Sequence, residues 1–172
     1  MSAAMPTRSG VGKSRKTTAC ADYSFRQRFR VPAAWAFRWC IDYTPYRWGK
    51  SQLEGSRTVA WVGPRTVVLD DIVPAPRGRR ARKVKMVHIY PETRSWVSTH
   101  VAGPRLNSQF RYRIEAEGRN ASALVFDGRE LRWDGPRLSA AANRRLAKEL
   151  RADDADLWKR FAVEMEREYS GG

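Results

Sequence analysis

The segment from Ser139 to Tyr169 constrains the fold more strongly than any other part of the chain. It contains neither Gly nor Pro and is rich in Ala, Leu, Glu, Lys and Arg, which favour helices. Large apolar side chains recur in it at helical spacing: Leu146, Leu150, Leu157, Phe161 and Met165, with Trp158 and Ala162 beside them. The pattern predicts one long amphipathic helix with Ser139 as its N-cap. Its middle, RADDA at 151–155, lacks a large apolar residue, so a kink there is the alternative.

The residues from Asp22 to Val31 alternate in polarity, as a strand with one buried face does. Apolar side chains take one parity: Tyr23, Phe25, Phe29 and Val31. Directly afterwards, Pro32 suits a first helical turn, and aromatic residues follow at spacings of four. They predict a helix from about Pro32 to Asp42. The next residues, Thr44–Trp48, form either a second short helix or an irregular turn.

Six strand-like stretches separated by turn signals lie between these helices. The predicted strands are Ser56–Val62, Arg65–Val73, Arg82–Tyr90, Ser95–Ala102, Leu106–Glu117 and Ala121–Trp133. The segment Pro74–Arg80 is predicted to be a loop. In the last strand the apolar parity changes around Asp127 and Gly128, which predicts a β-bulge there.

An antiparallel sheet with one apolar face needs a cover, and the long terminal helix supplies one. We therefore predict an α+β fold in which a curved antiparallel sheet of about seven strands clasps that helix. If helix and sheet do not close fully, a cavity remains between them.

This order of elements resembles the helix-grip fold of the START and polyketide-cyclase-like (SRPBCC) superfamily. The stretch FRVPAAWAFRWCIDYTPYRW, residues 29–48, is similar to the superfamily's opening strand and amphipathic helix. The resemblance covers about Asp22 to Tyr169 and is not specific to a subfamily. It implies a deep cavity for lipids, sterols, polyketides or other apolar molecules. Some members are cyclases, aromatases or hydroxylase subunits, but no Rieske-type Cys/His cluster and no cyclase constellation is present in this sequence.

The chain has two histidines, His88 and His100. His88 shares its parity with Val84, Met86 and Tyr90, so we predict that it faces inward. There it could act as a catalytic acid or base near neutral pH. The alternative is a hydrogen-bonded core histidine. The direction of His100 depends on a hairpin register that the sequence leaves open.

The other candidate ligand-binding residues are mostly aromatic. Those on the strands, His88 included, are Trp61, His88, Tyr90, Trp96, Phe110, Tyr112 and Trp133, and those on the helix are Trp158, Phe161 and Met165. The alternative is that they form an ordinary core. Among the acids, Asp70 and Asp71 straddle both faces of one strand. A solvated salt bridge is the favoured interpretation. The alternative is that one of them turns inward toward a basic partner such as Arg111 or Arg113.

The chain carries 33 Lys and Arg against 18 Asp and Glu, a formal net charge of +15. Residues 1–21 are predicted to be a flexible basic tail preceding a single domain at 22–172. The tail contains TRSGVGKS, which resembles a phosphate-binding loop, but Thr7 replaces its first glycine and no strand precedes it. The basic run from Arg77 to Lys85 is either a patch for nucleic acid, acidic lipid or a partner, or a solvated edge that discourages sheet pairing.

Cofactor and metal sites are not predicted, because the two cysteines, Cys20 and Cys40, have no zinc-site spacing. No segment approaches the roughly 20 apolar residues of a membrane span, and we predict a cytoplasmic protein. A homodimer is one option for its assembly. The function predicted first is binding of a hydrophobic or amphipathic small molecule. The alternative is a cyclase, aromatase or dehydrase that uses His88, and a weaker one is a basic protein that binds nucleic acid or anionic membranes.

Overall fold

The computed structural model describes residues 16–44, 55–75 and 77–171. The elements in chain order are β1 (Ala19–Phe29), α1 (Ala33–Cys40), β2 (Ser56–Gly63), β3 (Thr66–Ala75), β4 (Arg79–Tyr90), a 3-10 turn (Pro91–Thr93), β5 (Ser95–Ala102), β6 (Gln109–Ala116), β7 (Ser122–Arg132) and α2 (Ala140–Gly171). The possible helix at Thr44–Trp48 falls largely on residues outside the described ranges, and so does the TRSGVGKS segment.

The strands form one seven-stranded sheet in the order β1-β7-β6-β5-β4-β3-β2. Every neighbouring pair is antiparallel. Strands β2 to β7 follow one another as a meander, and β1 pairs with the last of them. Helix α2 packs on one face, which we call the inner face; the opposite one is the outer face. A seven-stranded antiparallel sheet with a short N-terminal helix and a long C-terminal helix packed on it is the helix-grip fold, as predicted.

Strand β1 alternates between buried and exposed residues, as its sequence predicts. Phe25 stacks on Phe126 of β7 with ring centroids 4.6 Å apart, and Phe29 contacts Trp158 of α2. The strand begins at Ala19, earlier than predicted, because Ala19 to Ala21 continue the pairing with β7. Strand β1 therefore pairs with β7 and also packs against α2.

Helix α2 runs without interruption for 32 residues, so the prediction of one long helix is confirmed. The Ser139 hydroxyl accepts a hydrogen bond from the Ala142 amide at 3.2 Å and caps it. The middle segment contacts the sheet through polar groups. The Tyr23 hydroxyl donates to Asp154 at 2.7 Å, and Arg151 donates to the Ser24 carbonyl at 2.9 Å. These bonds hold the helix where apolar residues are missing.

The predicted bulge at Asp127 and Gly128 is wrong. Pairing of β7 with β1 and with β6 runs through both residues in one register. On the inner face, β7 has Gly128 and Glu130 at positions where large apolar residues were expected. Their presence explains the apparent change of parity in the sequence. A Cβ on Gly128 would lie 2.9 Å from the Phe126 ring and 3.1 Å from Phe110, so glycine lets these rings approach the strand.

The predicted loop at Pro74–Arg80 is shorter in the structure. Pro74 and Ala75 belong to β3 and pair with Arg80 and Arg79 of β4. The turn leaves β3 and β4 as a long hairpin, and the basic run from Arg77 lies mostly on β4. The register shifts instead at two other places, Trp61 to Gly63 and Val84 to Lys85.

Candidate functional site

A cavity of about 390 Å³ lies between the inner face of the sheet, α1 and α2. This volume is near the lower end of the roughly 300–1,000 Å³ typical of small-molecule sites. Its lining residues come from α1 and the segment after it, from β2 to β6 and from the middle of α2. They include Trp39, Tyr43, Arg57, Asp71, Lys83, Lys85, Trp96, Ser98, His100, Arg105, Phe110, Tyr112, Asp154, Leu157, Trp158 and Phe161.

One part of the cavity wall is aromatic. Trp96 of β5 stacks on Tyr112 of β6, with centroids 4.9 Å apart and planes 4° from parallel. Trp158 of α2 lies 5.9 Å from Tyr112 and 5.3 Å from Phe161, which is perpendicular to it. Burial and the nearby carboxylate of Asp154 raise the pKa of Tyr112, so its phenol stays protonated. This wall offers flat apolar surface with a few polar edges.

The other part of the wall is charged and is centred on Asp71 of β3, whose side chain is 2% exposed. Arg57 of β2 donates to it through Nε at 2.6 Å and through Nη2 at 2.9 Å. Lys85 Nζ of β4 lies 2.5 Å from Oδ2 of Asp71, the oxygen that also accepts Arg57 Nη2. Burial alone would raise the pKa of Asp71, but the Arg57 hydrogen bond and the Lys85 charge hold it below its usual range. Burial and Arg57 lower the pKa of Lys85 to about 8.

His100 of β5 lies directly opposite Lys85 in the sheet and is 4% exposed. Its ring packs edge-on against Phe110, with centroids 5.4 Å apart. Burial, followed by the charges of Lys85, Arg105 and Lys83, lowers the pKa of His100 to about 3, so the imidazole is neutral near pH 7. Its Nδ1 atom is buried and finds no hydrogen-bond partner among the described residues.

Two further cations flank His100. Arg105, after β5, lies 3.0 Å from Glu130, whose side chain is fully buried and also pairs with Arg132. Lys83 lies opposite Asp71 in the register, yet the Asp71 oxygens are taken by Arg57 and Lys85. Within residues 16–44, 55–75 and 77–171, no carboxylate forms an ion pair with Lys83. Burial and the Arg105 charge lower its pKa.

Asp154 of α2 brings a carboxyl group to the cavity from the helix side. It accepts the Tyr23 hydroxyl at 2.7 Å. Burial raises the pKa of Asp154, against the Tyr23 hydrogen bond and the Arg105 charge, which lower it. Burial and Asp154 together raise the pKa of Tyr23. The pair therefore joins α2 to β1 by a hydrogen bond beside the cavity.

Five of the predicted ligand-binding residues line the cavity: Trp96, Phe110, Tyr112, Trp158 and Phe161. Met165 is fully buried in the core but is not part of the lining. Trp61, on the edge strand β2, is 55% exposed. Trp133 lies outside the cavity, where its indole donates to the Leu106 carbonyl at 2.6 Å. Tyr90 points to the outer face and is 46% exposed.

His88 does not face inward, so the prediction of its direction is wrong. It lies on the outer face, where Nδ1 is 3.0 Å from the Thr66 hydroxyl. The inner face of β4 carries Lys83, Lys85, Val87 and Ile89. Near its end, β4 has apolar residues on both parities, so apolar pattern alone does not decide which parity faces inward. The prediction assumed that lysines point to solvent, and it therefore assigned the wrong parity to the inner face. Lys85 faces inward instead, because the buried Asp71 supplies a partner for it.

Arg111 and Arg113 are not the partners of the two neighbouring aspartates, although one aspartate turns inward to basic partners and the other forms an exposed ion pair. Asp70 pairs with Arg82 on the outer face, and Asp71 pairs with Arg57 and Lys85 on the inner face. Sequence reasoning therefore missed the charged wall of the cavity. The sequence does contain a signal for the charged wall, since Lys83 and Lys85 share the parity of Val87 and Ile89. The signal can be interpreted only when the pairing of β3 with β4 is known.

Among the described residues, no group of three or more His, Cys, Asp or Glu is arranged to hold a metal ion. None of the helices in the described part of the chain has the length and apolar character required to cross a bilayer.

No protein-family model matches the chain, and no curated protein matches it in sequence. Its structure is similar to several solved ones. The Zhui aromatase/cyclase from Streptomyces sp. R1128 matches with a TM-score of 0.68 and 15% identity, over 86% of this chain and 94% of that one. A START superfamily protein from Mycobacterium smegmatis matches with a TM-score of 0.61 and 16% identity, over 85% and 97%.

Norcoclaurine synthase from Thalictrum flavum, solved with dopamine and hydroxybenzaldehyde, matches with a TM-score of 0.59 and 10% identity, over 95% of this chain and 98% of that one. Proteins whose names describe such different activities share one architecture. At these identities the likeness establishes the helix-grip fold, and the function has to be argued from the cavity.

Proposed function

We propose that this protein binds a hydrophobic or amphipathic small molecule, of lipid-, sterol- or polyketide-like character, in the cavity between sheet and α2. The observation that carries the proposal is the aromatic wall formed by Trp96, Tyr112, Trp158 and Phe161 around a volume of about 390 Å³. Flat rings on both the sheet and the helix suit a planar or chain-like apolar body.

Apolar burial supplies the driving force for such binding. Each 100 Å² of ligand surface moved from water into the cavity contributes roughly 2.5 kcal/mol, before the cost of immobilising the ligand. The aromatic side chains pack against one another and against the core, so little ordering is required of them on binding. The charged wall then fixes the orientation of a polar end.

The geometry favours binding over proton transfer by a histidine. His88 is on the outer face, and His100, which lines the cavity, has a pKa of about 3. With so low a pKa, this imidazole carries no extra proton for general-acid catalysis near pH 7 and is a weak general base. The cyclase-type alternative depended on His88 as a catalytic residue in the cavity, and His88 does not lie there.

Binding through surface charge has less support. Several outer-face arginines are already paired: Arg26 and Arg28 with Glu117, Arg129 with Asp22, and Arg82 with Asp70. These pairs reduce the free positive charge that a polyanion would meet. A salt-sensitive interaction with nucleic acid or anionic membranes is thus the weaker proposal.

A fluorescent probe tests the proposal directly. N-phenyl-1-naphthylamine, a neutral apolar dye, is expected to bind the wild-type protein saturably at one site. Ser98→Phe, which adds a ring to the cavity wall, should weaken this binding at least tenfold. Thr99→Phe adds the same ring to the outer face one residue away and should leave it within twofold.

Absence of saturable binding by the wild-type protein would overturn the proposal, and so would equal losses in both variants. Native mass spectrometry of freshly purified protein adds a second measurement. A co-purified molecule in the wild type that is missing from Ser98→Phe but retained by Thr99→Phe would identify the natural ligand.

A further inference from the structure

Building on the proposed function, we propose that the ligand carries an anionic group, a carboxylate or a phosphate, that binds at the charged wall between Lys83, Arg105 and His100. The proposal rests on the balance of charges in the cavity and on the groups there that have no partner.

Among the described residues, the cavity wall contains more cations than carboxylates. Four basic side chains of the described residues line it: Arg57, Lys83, Lys85 and Arg105. Of the acidic ones, Asp71 is held by two cations, Asp154 accepts the Tyr23 hydroxyl, and Asp42 accepts the Thr44 amide at 3.1 Å. None of these three has an ion pair with Lys83 in the described part of the chain, whereas Arg105 is paired with the buried Glu130, which Arg132 shares.

Lys83 is the clearest sign of a missing partner. It lies opposite Asp71 in the sheet, but Arg57 and Lys85 occupy that carboxylate. Its side chain lines the cavity and is partly buried, and among the described residues the charges of Glu130, Asp71 and Asp154 act on it without forming an ion pair, which is unfavourable for a partly buried cation. Beside it, the buried Nδ1 of His100 lacks a hydrogen-bond partner among the described residues. An anionic ligand group would supply the counter-charge and acceptor oxygens.

The titration behaviour of the wall agrees with this geometry. Burial and neighbouring cations lower the pKa of His100 to about 3 and that of Lys85 to about 8, and they also lower that of Lys83. Burial is the first cause of each shift, and the contributions of the neighbouring cations have the sign expected of a positive potential. The same potential attracts an anion.

The volume narrows the ligand class further. A cavity of about 390 Å³ suits a single chain or a small fused-ring system better than a two-chain lipid. Together the two walls fit an aromatic or aliphatic acid, or its phosphate ester, with its apolar body against Trp96 and Trp158.

A matched pair of dyes tests the inference. 8-Anilinonaphthalene-1-sulfonate has the scaffold of N-phenyl-1-naphthylamine with one added anionic group. We expect the wild-type protein to bind the sulfonate at least tenfold more tightly, with each dye displacing the other. Lys83→Gln should weaken sulfonate binding about five- to tenfold and leave the neutral dye within twofold.

Lys148→Gln is the control, because it removes the same charge from an exposed position on α2. It should leave the affinity for both dyes within twofold. Displacement by 2-naphthoate, 2-naphthyl phosphate and the neutral 2-naphthalenemethanol then separates the two anion sources. The anion that competes at least tenfold better than the alcohol identifies a carboxylate or a phosphate ligand.

The outcomes separate the two proposals. If the neutral dye binds as tightly as the sulfonate, or if Lys83→Gln and Lys148→Gln have the same effect, the anion site is wrong and the apolar cavity stands. If neither dye binds saturably, the proposed function itself fails. The wild-type comparison of the two dyes is decisive even if Lys83→Gln does not fold.

Discussion

The two faces of the sheet use the same residue types for different purposes. On β3, Asp70 pairs with Arg82 at the outer face, where the two side chains are 29% and 69% exposed. The next residue, Asp71, is 2% exposed and is held by Arg57 and Lys85 at the inner face. The histidines divide in the same way, with His88 outside and His100 in the cavity wall. One step along a strand thus separates a solvated ion pair from a buried charge network.

The difference shows that burial, rather than residue identity, sets the energetic role of each charge. Exposed pairs are screened by water and salt and contribute little to stability. Buried charges depend on their partners, because the loss of one leaves the others without compensation. Substitutions at matched positions on the two faces should therefore have very different effects.

The largest difference is expected between Asp71→Asn and Asp70→Asn. Asp71→Asn leaves Arg57 and Lys85 without their carboxylate, and should lower the free energy of unfolding by about 3–5 kcal/mol. Asp70→Asn should leave the midpoint of urea unfolding close to that of the wild type. Equal losses in the two variants would contradict the contrast between the faces.

The next largest effect is a dependence of stability on pH through His100. Its pKa is about 3 in the folded protein and about 6.5 in an unfolded chain. Between these values the unfolded chain binds more protons, so stability falls as the pH is lowered from 6.5, by at most about 1.4 kcal/mol per pH unit.

His100→Gln should reduce this slope between pH 6.5 and 4.5, a window that lies above the titration range of Asp71. Urea unfolding at several pH values measures it, with His88→Gln as the reference for loss of an imidazole from the outer face. An unchanged slope in His100→Gln would show that the histidine is not buried as described.

A smaller effect tests how tightly the inner face is packed. Gly128→Ala places a methyl group against the Phe126 and Phe110 rings and should cost about 1–3 kcal/mol. Gly63→Ala is the control, because nothing lies within 4 Å of a Cβ built there. Thermal unfolding of both variants measures the difference, and a neutral Gly128→Ala would indicate that the rings can move apart.

The smallest effect is expected at the outer face itself. Glu117→Gln removes a carboxylate partner of Arg28 and of Arg26, which keeps Glu115; the two cations are 76% and 45% exposed. It should barely change the unfolding midpoint at low salt, and the remaining difference should vanish in 1 M NaCl. A large loss that persists at high salt would mean that this network is not solvated.

The elements and their order could be predicted from the sequence because each depends on local pattern. The β1 alternation and the α2 stripe are visible along the chain without knowledge of any neighbour. The direction of β4 is different, since Val84 and Met86 on one parity compete with Val87 and Ile89 on the other. The choice depends on Asp71 of β3, which lies more than ten positions earlier and becomes a neighbour only in the sheet.

The candidate site divides along the same line. Trp96, Phe110, Tyr112, Trp158 and Phe161 were predicted from aromatic periodicity and line the cavity. The charged wall was not predicted, because burial of Lys85 makes sense only once Arg57, Asp71 and His100 are brought together from three other strands. Apolar periodicity is enough to predict which residues form an apolar surface. To predict a polar cluster formed by residues of several strands, the pairing register of those strands must be known.

The pairing of β1 with β7 has a consequence for folding during synthesis. Thr18 and Arg132 bond to each other although they stand 114 positions apart. A ribosome must therefore release nearly the entire domain before the first strand meets its partner and the C-terminal helix can dock. Strand β1 stays unpaired until β7 has been synthesised, so this order of strands favours a slow final step in folding.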